Sequence, residues 1–183
     1  MTIPAVAAAQ ADWPHWRGPG RNDVVAEDSG WERGAWPPKK PEWSAEVGAG
    51  ATSPLVVDGR VYTMGNDDGR DTVWCLGAAT GKTLWKTSYP CARHGRNATG
   101  DEGLYAGVTS TPDFDPQTGY LYTLSIDGDL NCWDTKAAGR RVWGRNLYDD
   151  YGMRQRAKIG RSPKRDYGYT SSPLLEADTL IVE

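Results

Sequence analysis

The residues that could carry out catalysis are few and scattered in this 183-residue sequence. His15 and His94 are the only histidines, and neither has a metal-ligand spacing to a cysteine or to another histidine. No serine, histidine and acidic residue are spaced as a hydrolytic triad. Residues 77–83 resemble a phosphate loop, but they have three residues between the glycines instead of four and precede a predicted strand. We therefore predict no catalytic residues and no metal site.

Three acidic residues lie close together at Asp67, Asp68 and Asp71, and carboxylate oxygens are the ligands that calcium prefers. The stretch lacks the alternating ligands and the closing glutamate of a calcium loop. We interpret it as a solvated turn between two strands.

A basic stretch late in the sequence is the best candidate for binding a partner. Tyrosines flank it, and basic and aromatic side chains together bind anions, sugars and nucleic-acid backbones. Asp149, Asp150 and Asp166 balance the charge, so a solvated insertion is the interpretation that we favour. Long loops on a rigid scaffold nevertheless carry function, and a protein or polymer partner would be expected here. The basic residues are Arg154, Arg156, Lys158, Arg161, Lys164 and Arg165.

Three cysteines, at positions 75, 91 and 132, are too few and odd in number for a disulfide framework. We predict that Cys75 and Cys132 lie in strands as small buried apolar residues and that Cys91 lies in a loop. The net charge of −3 does not favour nucleic acid as a partner. No stretch reaches the roughly 18 apolar residues that a transmembrane helix needs.

The N-terminus has features of an export signal. Residues 1–11 end in Ala9-Gln10-Ala11, and small residues in this spacing suit signal-peptidase cleavage. We interpret residues 1–11 as a remnant signal peptide or disordered leader and residues 12–41 as an N-terminal extension. The location expected from this reading is the bacterial periplasm or the outside of the cell.

An internal repeat determines which elements must hold these residues. A Thr/Ser-rich segment ending in proline recurs at Pro54, Pro112 and Pro173, which are 58 and 61 residues apart. Trp85 and Trp143 are also 58 residues apart. Several landmarks that keep one spacing indicate a repeat architecture.

Each repeat reads as four short strands, which in the first unit are expected at 51–57, 60–65, 72–76 and 83–88. Asp58-Gly59 and Asp127-Gly128 are hairpin turn signals, since both residue types tolerate a positive φ. A four-stranded meander cannot shelter its apolar surface alone, and stacking such units radially does so. We predict an all-β fold, a partial β-propeller of four-stranded antiparallel blades in an incomplete ring. The residues expected to pack one blade on the next are Thr80, Gly81, Trp85, Asp134, Gly139 and Trp143.

The propeller is expected to span residues 42–183. Within it we predict an outer strand at 42–47, a blade at 51–88, a blade at 108–147 and half a blade at 169–183. Because propellers have about four to eight blades, this organisation suggests the N-terminal fragment of a longer protein.

Residues 75–85 read Cys-Leu-Gly-Ala-Ala-Thr-Gly-Lys-Thr-Leu-Trp and resemble the blade motif of the pyrroloquinoline-quinone-like (PQQ-like) β-propeller family, roughly Ala-Leu-Asp-x-x-Thr-Gly-Lys-x-x-Trp. Gly77 replaces the motif's aspartate. In the second unit Asp134 lies five residues before Gly139 instead of four, and no threonine precedes that glycine. The opening residues 12–19 also resemble the start of large exported members of the family.

This resemblance implies two alternatives for function. The family includes quinoprotein dehydrogenases that hold PQQ with calcium, and it includes the cofactor-free periplasmic lipoprotein of the outer-membrane β-barrel assembly machinery. The dehydrogenases often place two adjacent cysteines over the cofactor, and no two cysteines are adjacent here. We therefore expect a non-catalytic exported propeller that binds a protein or polymer through its blade loops, without a cofactor. The alternative is the N-terminal part of a PQQ-dependent alcohol or sugar dehydrogenase whose cofactor residues lie mostly in further blades.

Overall fold

The computed structural model describes residues 12–25, 40–91, 107–152 and 168–183. They form two four-stranded antiparallel sheets and one two-stranded sheet, and the strands of each sheet follow one another in chain order. The predicted all-β fold with four-stranded antiparallel blades is confirmed. The first blade contains β1 (Leu55–Val57), β2 (Arg60–Asp67), β3 (Arg70–Gly77) and β4 (Thr83–Pro90). The second contains β5 (Asp113–Asp115), β6 (Tyr120–Leu124), β7 (Asp129–Asp134) and β8 (Arg140–Asn146).

The third sheet pairs β9 (Leu174–Glu176) with β10 (Thr179–Ile181). The described residues contain a single α-helix, α1 (Leu147–Asp150), and a short 3-10 helix at Thr135–Ala137. None of the described segments forms a helix of the length and apolarity that crossing a membrane requires.

Tight turns set the register of the blades. Asp58 and Gly59 have φ values of 49° and 67°, as a two-residue hairpin of the primed type requires. The second pair, Asp127-Gly128, lies in the turn between β6 and β7, where Gly128 N–H donates to Ser125 O. Asp68-Gly69, with φ values of 46° and 73°, forms a further hairpin within the stretch that we interpreted as a solvated turn between two strands. Because this turn is tight, β2 and β3 are longer than expected. The first strand is shorter than expected and starts at Leu55.

The blades pack face to face through aromatic side chains. Tyr62 of the first blade stacks on Phe114 of the second, with ring centroids 5.6 Å apart. Tyr89 stacks on Trp133 at 5.8 Å, and Trp133 donates its indole N–H to Thr123 Oγ1. These contacts belong to one buried apolar cluster that spans both blades. The two sheets therefore share a core, which is how propeller blades shelter apolar surface that neither could bury alone.

Cys75 and Cys132 lie in β3 and β7 and are fully buried, which confirms their prediction as small core residues. Burial raises the pKa of both thiols to about 11. Cys91, expected in a loop, directly follows β4 and is buried as well. All three thiols are free.

The segment 42–47, for which we expected an outer strand, forms no strand among the described residues. Side chains attach it to the first blade instead. Trp43 donates its indole N–H to Ala78 O at 2.9 Å, and the Val47 carbonyl accepts from the indole of Trp74 at 3.0 Å. A strand here would need a neighbouring strand that exchanges backbone hydrogen bonds with it, and the described part of the chain does not provide one.

Candidate functional site

A row of hydroxyl groups lies where the first strands of the three sheets begin. Ser53 N–H donates to Thr111 Oγ1 at 3.0 Å, and Thr111 N–H donates to Ser172 Oγ at 3.0 Å. The same hydrogen bond thus joins the first sheet to the second and the second to the third. Each accepting hydroxyl keeps its own proton available for donation. The repeated Thr/Ser-Pro segments therefore bring donor groups from different blades together.

The N-terminal segment, residues 12–25, crosses this row. Trp13 N–H donates to Val56 O at 2.6 Å, and Val56 N–H donates to Trp13 O at 3.1 Å. Pro14 O then accepts from Phe114 N–H at 3.1 Å. Gly18, with φ of 83°, lies against the Trp13 ring, where a Cβ would come within 2.6 Å of a ring carbon. The segment is thereby fixed to the first strands of both four-stranded sheets.

Asp113 is the centre of the contacts that hold the N-terminal segment. Its Oδ1 lies 2.7 Å from His15 Nδ1, and its two oxygens accept from the Arg21 guanidinium at 3.3 and 2.9 Å. Leu175 N–H in the third sheet donates to Asp113 Oδ2 at 2.7 Å. The carboxylate is almost fully buried, and a buried charge needs such partners. It joins the N-terminal segment, the second blade and the third sheet at one point.

Above the hydroxyl row lies an open groove of about 590 Å³, which we call the inner-strand groove. Trp16 and Arg17 form part of one wall, and the Trp16 side chain is 53% exposed. The Arg17 guanidinium lies 5.9 Å from the Trp16 ring centre and pairs with Asp23. The hydroxyl residues that line the groove are Ser53, Thr109, Thr111, Thr170, Ser171 and Ser172. Hydroxyl donors, an exposed indole face and a cation are the groups with which a concave site holds a polar ligand.

A separate polar cluster is buried between the first two blades. Asp71 accepts from Asn66 Nδ2 at 2.7 Å and from the Tyr89 hydroxyl at 3.3 Å, while Cys91 Sγ lies 3.5 Å from Asp127 Oδ2. Desolvation raises the pKa of the Asp71 carboxyl, an effect that the hydrogen bond from Asn66 opposes. Burial, with the charge of Asp71 second, raises the pKa of the Cys91 thiol far above its usual range. A protonated thiol of this kind is a poor nucleophile.

The structure places the predicted blade-packing residues in two equivalent contacts. The Trp43 ring covers Gly81, and the Trp85 ring covers Gly139 of the next blade. A Cβ at Gly81 would come within 2.5 Å of the Trp43 ring, and a Cβ at Gly139 would come within 2.4 Å of the Trp85 ring. Trp143 is 38% exposed on β8, where its ring lies 6.1 Å from that of Tyr122.

The other two predicted residues shape the turns before the last strands. Thr80 N–H and Gly81 N–H both donate to Gly77 O in the first blade. In the second blade the carboxylate of Asp134 accepts from Lys136 N–H and Ala137 N–H, capping a 3-10 turn at Thr135–Ala137. The additional residue of this turn is thus accommodated without loss of the following strand.

The six basic residues between Arg154 and Arg165, and His94, lie outside the described residues. The acidic residues Asp67, Asp68 and Asp71 do not converge: the first two are exposed at a hairpin, and the third is buried in the cluster with Tyr89. Within the described ranges, no three His, Cys, Asp or Glu side chains are arranged to hold a metal ion.

The sequence reading missed Asp113 and Arg21. A signal was available, because Asp113 follows the repeated proline where the other two copies have Leu55 and Leu174. A carboxylate in a position that is apolar elsewhere in a repeat needs a buried partner. The identity of that partner could not be read from the repeat, since Arg21 lies 92 residues away.

The resemblance to quinoproteins implies PQQ with calcium, and the groove can be examined for a fit. Calcium takes six to eight oxygen ligands, several of them carboxylates. Among its described lining residues the groove has one carboxylate side chain, that of Glu183. The described lining therefore does not fit a calcium–quinone pair.

The chain forms four-stranded antiparallel sheets one after another, and contacts that repeat between equivalent residues join them. These features define it as a repeat protein built of β-propeller blades. No protein-family model matches it, and no curated protein does. Among solved structures it is similar to one described as "Europium-containing methanol dehydrogenase", with 19% identity and a TM-score of 0.49. The match covers 78% of this chain and 22% of that one, so the chain spans less than a quarter of that protein's length. The fold assignment rests on the sheets and contacts described above.

Proposed function

We propose that this protein is a non-catalytic binding module, exported from a bacterial cell, that holds a sugar polymer in the inner-strand groove. The observation that carries the proposal is the combination, in one groove, of an exposed indole ring with hydroxyl groups from three sheets. The apolar face of a sugar ring stacks on indole, while its hydroxyl groups exchange hydrogen bonds with serine and threonine. A volume of about 590 Å³ is ordinary for a ligand site, and because the groove is open it can also accept a segment of a longer chain.

The contacts around Asp113 support this proposal by making the groove rigid before a ligand arrives. Arg21 is held by Asp113 and also donates to Leu175 O at 3.3 Å, so the wall carrying Trp16 is fixed to the second and third sheets. A wall fixed in this way loses little conformational entropy on binding. Export is supported by the small residues at Ala9-Gln10-Ala11. An intact, uncleaved N-terminus on protein recovered from cytoplasm would contradict it.

Screening the protein on a glycan array, and then measuring the affinity of the tightest-binding soluble glycan by calorimetry, tests the proposal. We expect Trp16→Ala to weaken binding at least tenfold, because it removes the stacking surface. Trp143→Ala is the matched control, since that indole is also exposed but lies on β8, away from the groove. The control should bind as the wild type does. Absence of glycan binding, or equal losses in both variants, would contradict the proposal.

The alternative, a PQQ-dependent dehydrogenase, has a separate test. Adding PQQ and calcium to the protein and finding tight binding together with dye-linked alcohol oxidation would replace the binding module by an enzyme.

A further inference from the structure

The charged side chains that line the inner-strand groove are Arg17, Arg21 and Glu183. A sugar polymer is either uncharged or carries carboxylate groups, and an indole ring with hydroxyl groups suits both kinds. The charge of the groove decides between them, because complementary charges attract a ligand and like charges exclude it. The partners of the two arginines therefore determine which class of polymer the groove accepts.

Arg21 is occupied by contacts within the protein. Its Nη1 and Nη2 donate to the two oxygens of Asp113 at 3.3 and 2.9 Å, and Nη2 also donates to Leu175 O at 3.3 Å. The Asp113 side chain is only 1% exposed. An acidic ligand would have to compete with a carboxylate that is already buried in place, and a buried charge left without its partner is costly. The positive charge of Arg21 is thus cancelled inside the wall of the groove.

Arg17 is neutralised by a turn within the N-terminal segment. Its Nε donates to Asp23 Oδ2 at 2.7 Å, and Asp23 N–H donates to Arg17 O at 2.9 Å. A side-chain contact and a backbone contact therefore close the same loop. Most exposed ion pairs lack such support and contribute little. The backbone holds this pair together.

The backbone that positions both arginines is unusual. Arg17, Arg21 and Asp23 have φ values of 68°, 51° and 61°, in the left-handed region that residues other than glycine seldom adopt. Conformations of this kind persist where surrounding contacts impose them, and they are concentrated at sites that clamp ligands. In this segment they bring each guanidinium onto a carboxylate.

Glu183 adds a negative charge to the groove. Its side chain is exposed, and no ion pair within the described ranges neutralises it. The two arginines are thus outnumbered by the carboxylates of Asp23, Asp113 and Glu183. The groove and its ion-pair partners carry a small excess of negative charge.

We propose that the inner-strand groove selects an uncharged sugar polymer and rejects one that carries carboxylate groups. This inference rests on the function proposed above, since it names the class of polymer held in the same groove. Trp16 and the hydroxyl row supply contacts that need no charge on the ligand. A carboxylate on the polymer would find both cations already paired and would be repelled by Glu183. Asp23 acts through Arg17, whose charge it cancels, so it is a positioning residue.

Calorimetry with a matched pair of glycans tests the selectivity. The first glycan is the uncharged hexose oligosaccharide that binds most tightly on the glycan array. The second is the same oligosaccharide after oxidation of its primary hydroxyl groups to carboxylates. At low ionic strength we expect the uncharged form to bind at least about fivefold more tightly. In about 1 M salt, where charges are screened beyond roughly 3 Å, this preference should fall below about twofold.

Each outcome bears on a different claim. If the oxidised form binds as tightly as the uncharged form, or if only acidic glycans bind on the array, the inference is overturned and the sugar-binding function stands. A preference that is unchanged in 1 M salt also overturns it, because shape and not charge would then exclude the acidic polymer. If no glycan of either kind binds, the proposed function fails as well.

Two variants test the residues that set the charge. Asp23→Asn and Glu183→Gln each remove one negative charge, and each should reduce the ratio of the two affinities at least about threefold. Asp58→Asn is the matched control, because Asp58 also forms an exposed pair with an arginine, Arg60 at 2.8 Å, but does not line the groove. It should leave the ratio unchanged within about 1.5-fold.

The control also separates local from overall charge. If Asp58→Asn lowers the ratio as much as the other two variants, the selectivity comes from the net charge of −3 and the inference is overturned. All three side chains are exposed, so we expect each variant to fold, with a far-ultraviolet circular dichroism spectrum like that of the wild type.

Discussion

Replacing Gly139 by alanine should destabilise the protein mainly by displacing the Trp85 ring. The backbone at Gly139 has φ of 74°, and a Cβ there would lie 2.4 Å from a carbon of that ring. The positive φ alone costs alanine about 1 kcal/mol. Moving a packed ring to relieve such an overlap costs a further 1–3 kcal/mol, roughly. We expect a total loss in the free energy of unfolding of about 2–4 kcal/mol.

Gly59→Ala is the matched control for this prediction. Gly59 also has a positive φ, 67°, but no atom lies within 4 Å of the position its Cβ would take. It should therefore lose only about 1 kcal/mol. Gly81→Ala, under the ring of Trp43, should behave like Gly139→Ala, because its Cβ would lie 2.5 Å from that ring.

Urea unfolding followed by circular dichroism measures the difference. With an m-value of about 2 kcal/mol/M, the midpoints of Gly139→Ala and Gly59→Ala should differ by roughly 0.5–1.5 M. Equal midpoints for the two variants would refute the idea that indole rings packed on turn glycines hold one blade on the next. A circular dichroism spectrum like that of the wild type is the control that both variants fold.

Further predictions concern the buried charge and the buried titratable groups. Asp113→Asn should lower the free energy of unfolding by about 2–3 kcal/mol, because hydrogen bonds to a buried carboxylate are lost. Asp23→Asn, in the exposed pair with Arg17, is the control and should lower it by less than about 1 kcal/mol. Equal losses would contradict the role given to Asp113. At pH 8 the Cys75 and Cys132 thiols should react with a disulfide reagent at least about a hundredfold more slowly in the folded protein than in the urea-unfolded protein. The reason is that burial raises their pKa from 9.0 to about 11. Similar rates in the two states would contradict their burial. Burial also raises the pKa of Tyr62 from 10.0 to about 12, as it raises that of Cys75 from 9.0 to about 11, so both groups ionise first in the unfolded chain. The stability that these groups contribute is complete below pH 9 and should fall between pH 9 and 12. An unfolding midpoint that stays constant across that range would contradict this prediction.

The repeat made the blades predictable because local signals and long-range spacing agreed. Asp58-Gly59 specifies its hairpin locally, and Trp85 with Trp143 mark the last strands at a constant interval. A turn was expected around Asp68-Gly69, but its acidic surroundings suit a longer solvated turn than the two-residue hairpin that forms. Strand ends depend on such turns, and this explains why β2 and β3 extend further than expected.

The candidate site could not be predicted to the same extent, because its residues meet only in the folded chain. His15 and Arg21 contact Asp113 across 98 and 92 residues, and no spacing in the sequence relates them. The hydroxyl row is different. Its members occupy equivalent positions in the repeat, so their proximity follows once the repeats are taken as adjacent blades. The groove above them does not follow from the repeat.

A comparison of the two blades separates register positions that keep the same residue types from positions that differ. Positions facing the next blade keep their chemistry: Tyr62, Cys75 and Trp85 are matched by Tyr122, Cys132 and Trp143 in the same register. Such a row must bury apolar area between sheets, so substitution there costs stability.

Positions facing the previous blade diverge, from Trp74 with Lys86 to Asn131 with Gly144. Nothing in the blade architecture requires that change, since the first blade fills the same space with side chains. Asn131 Nδ2 has no hydrogen-bond partner within the described residues, so this divergence costs the second blade stability.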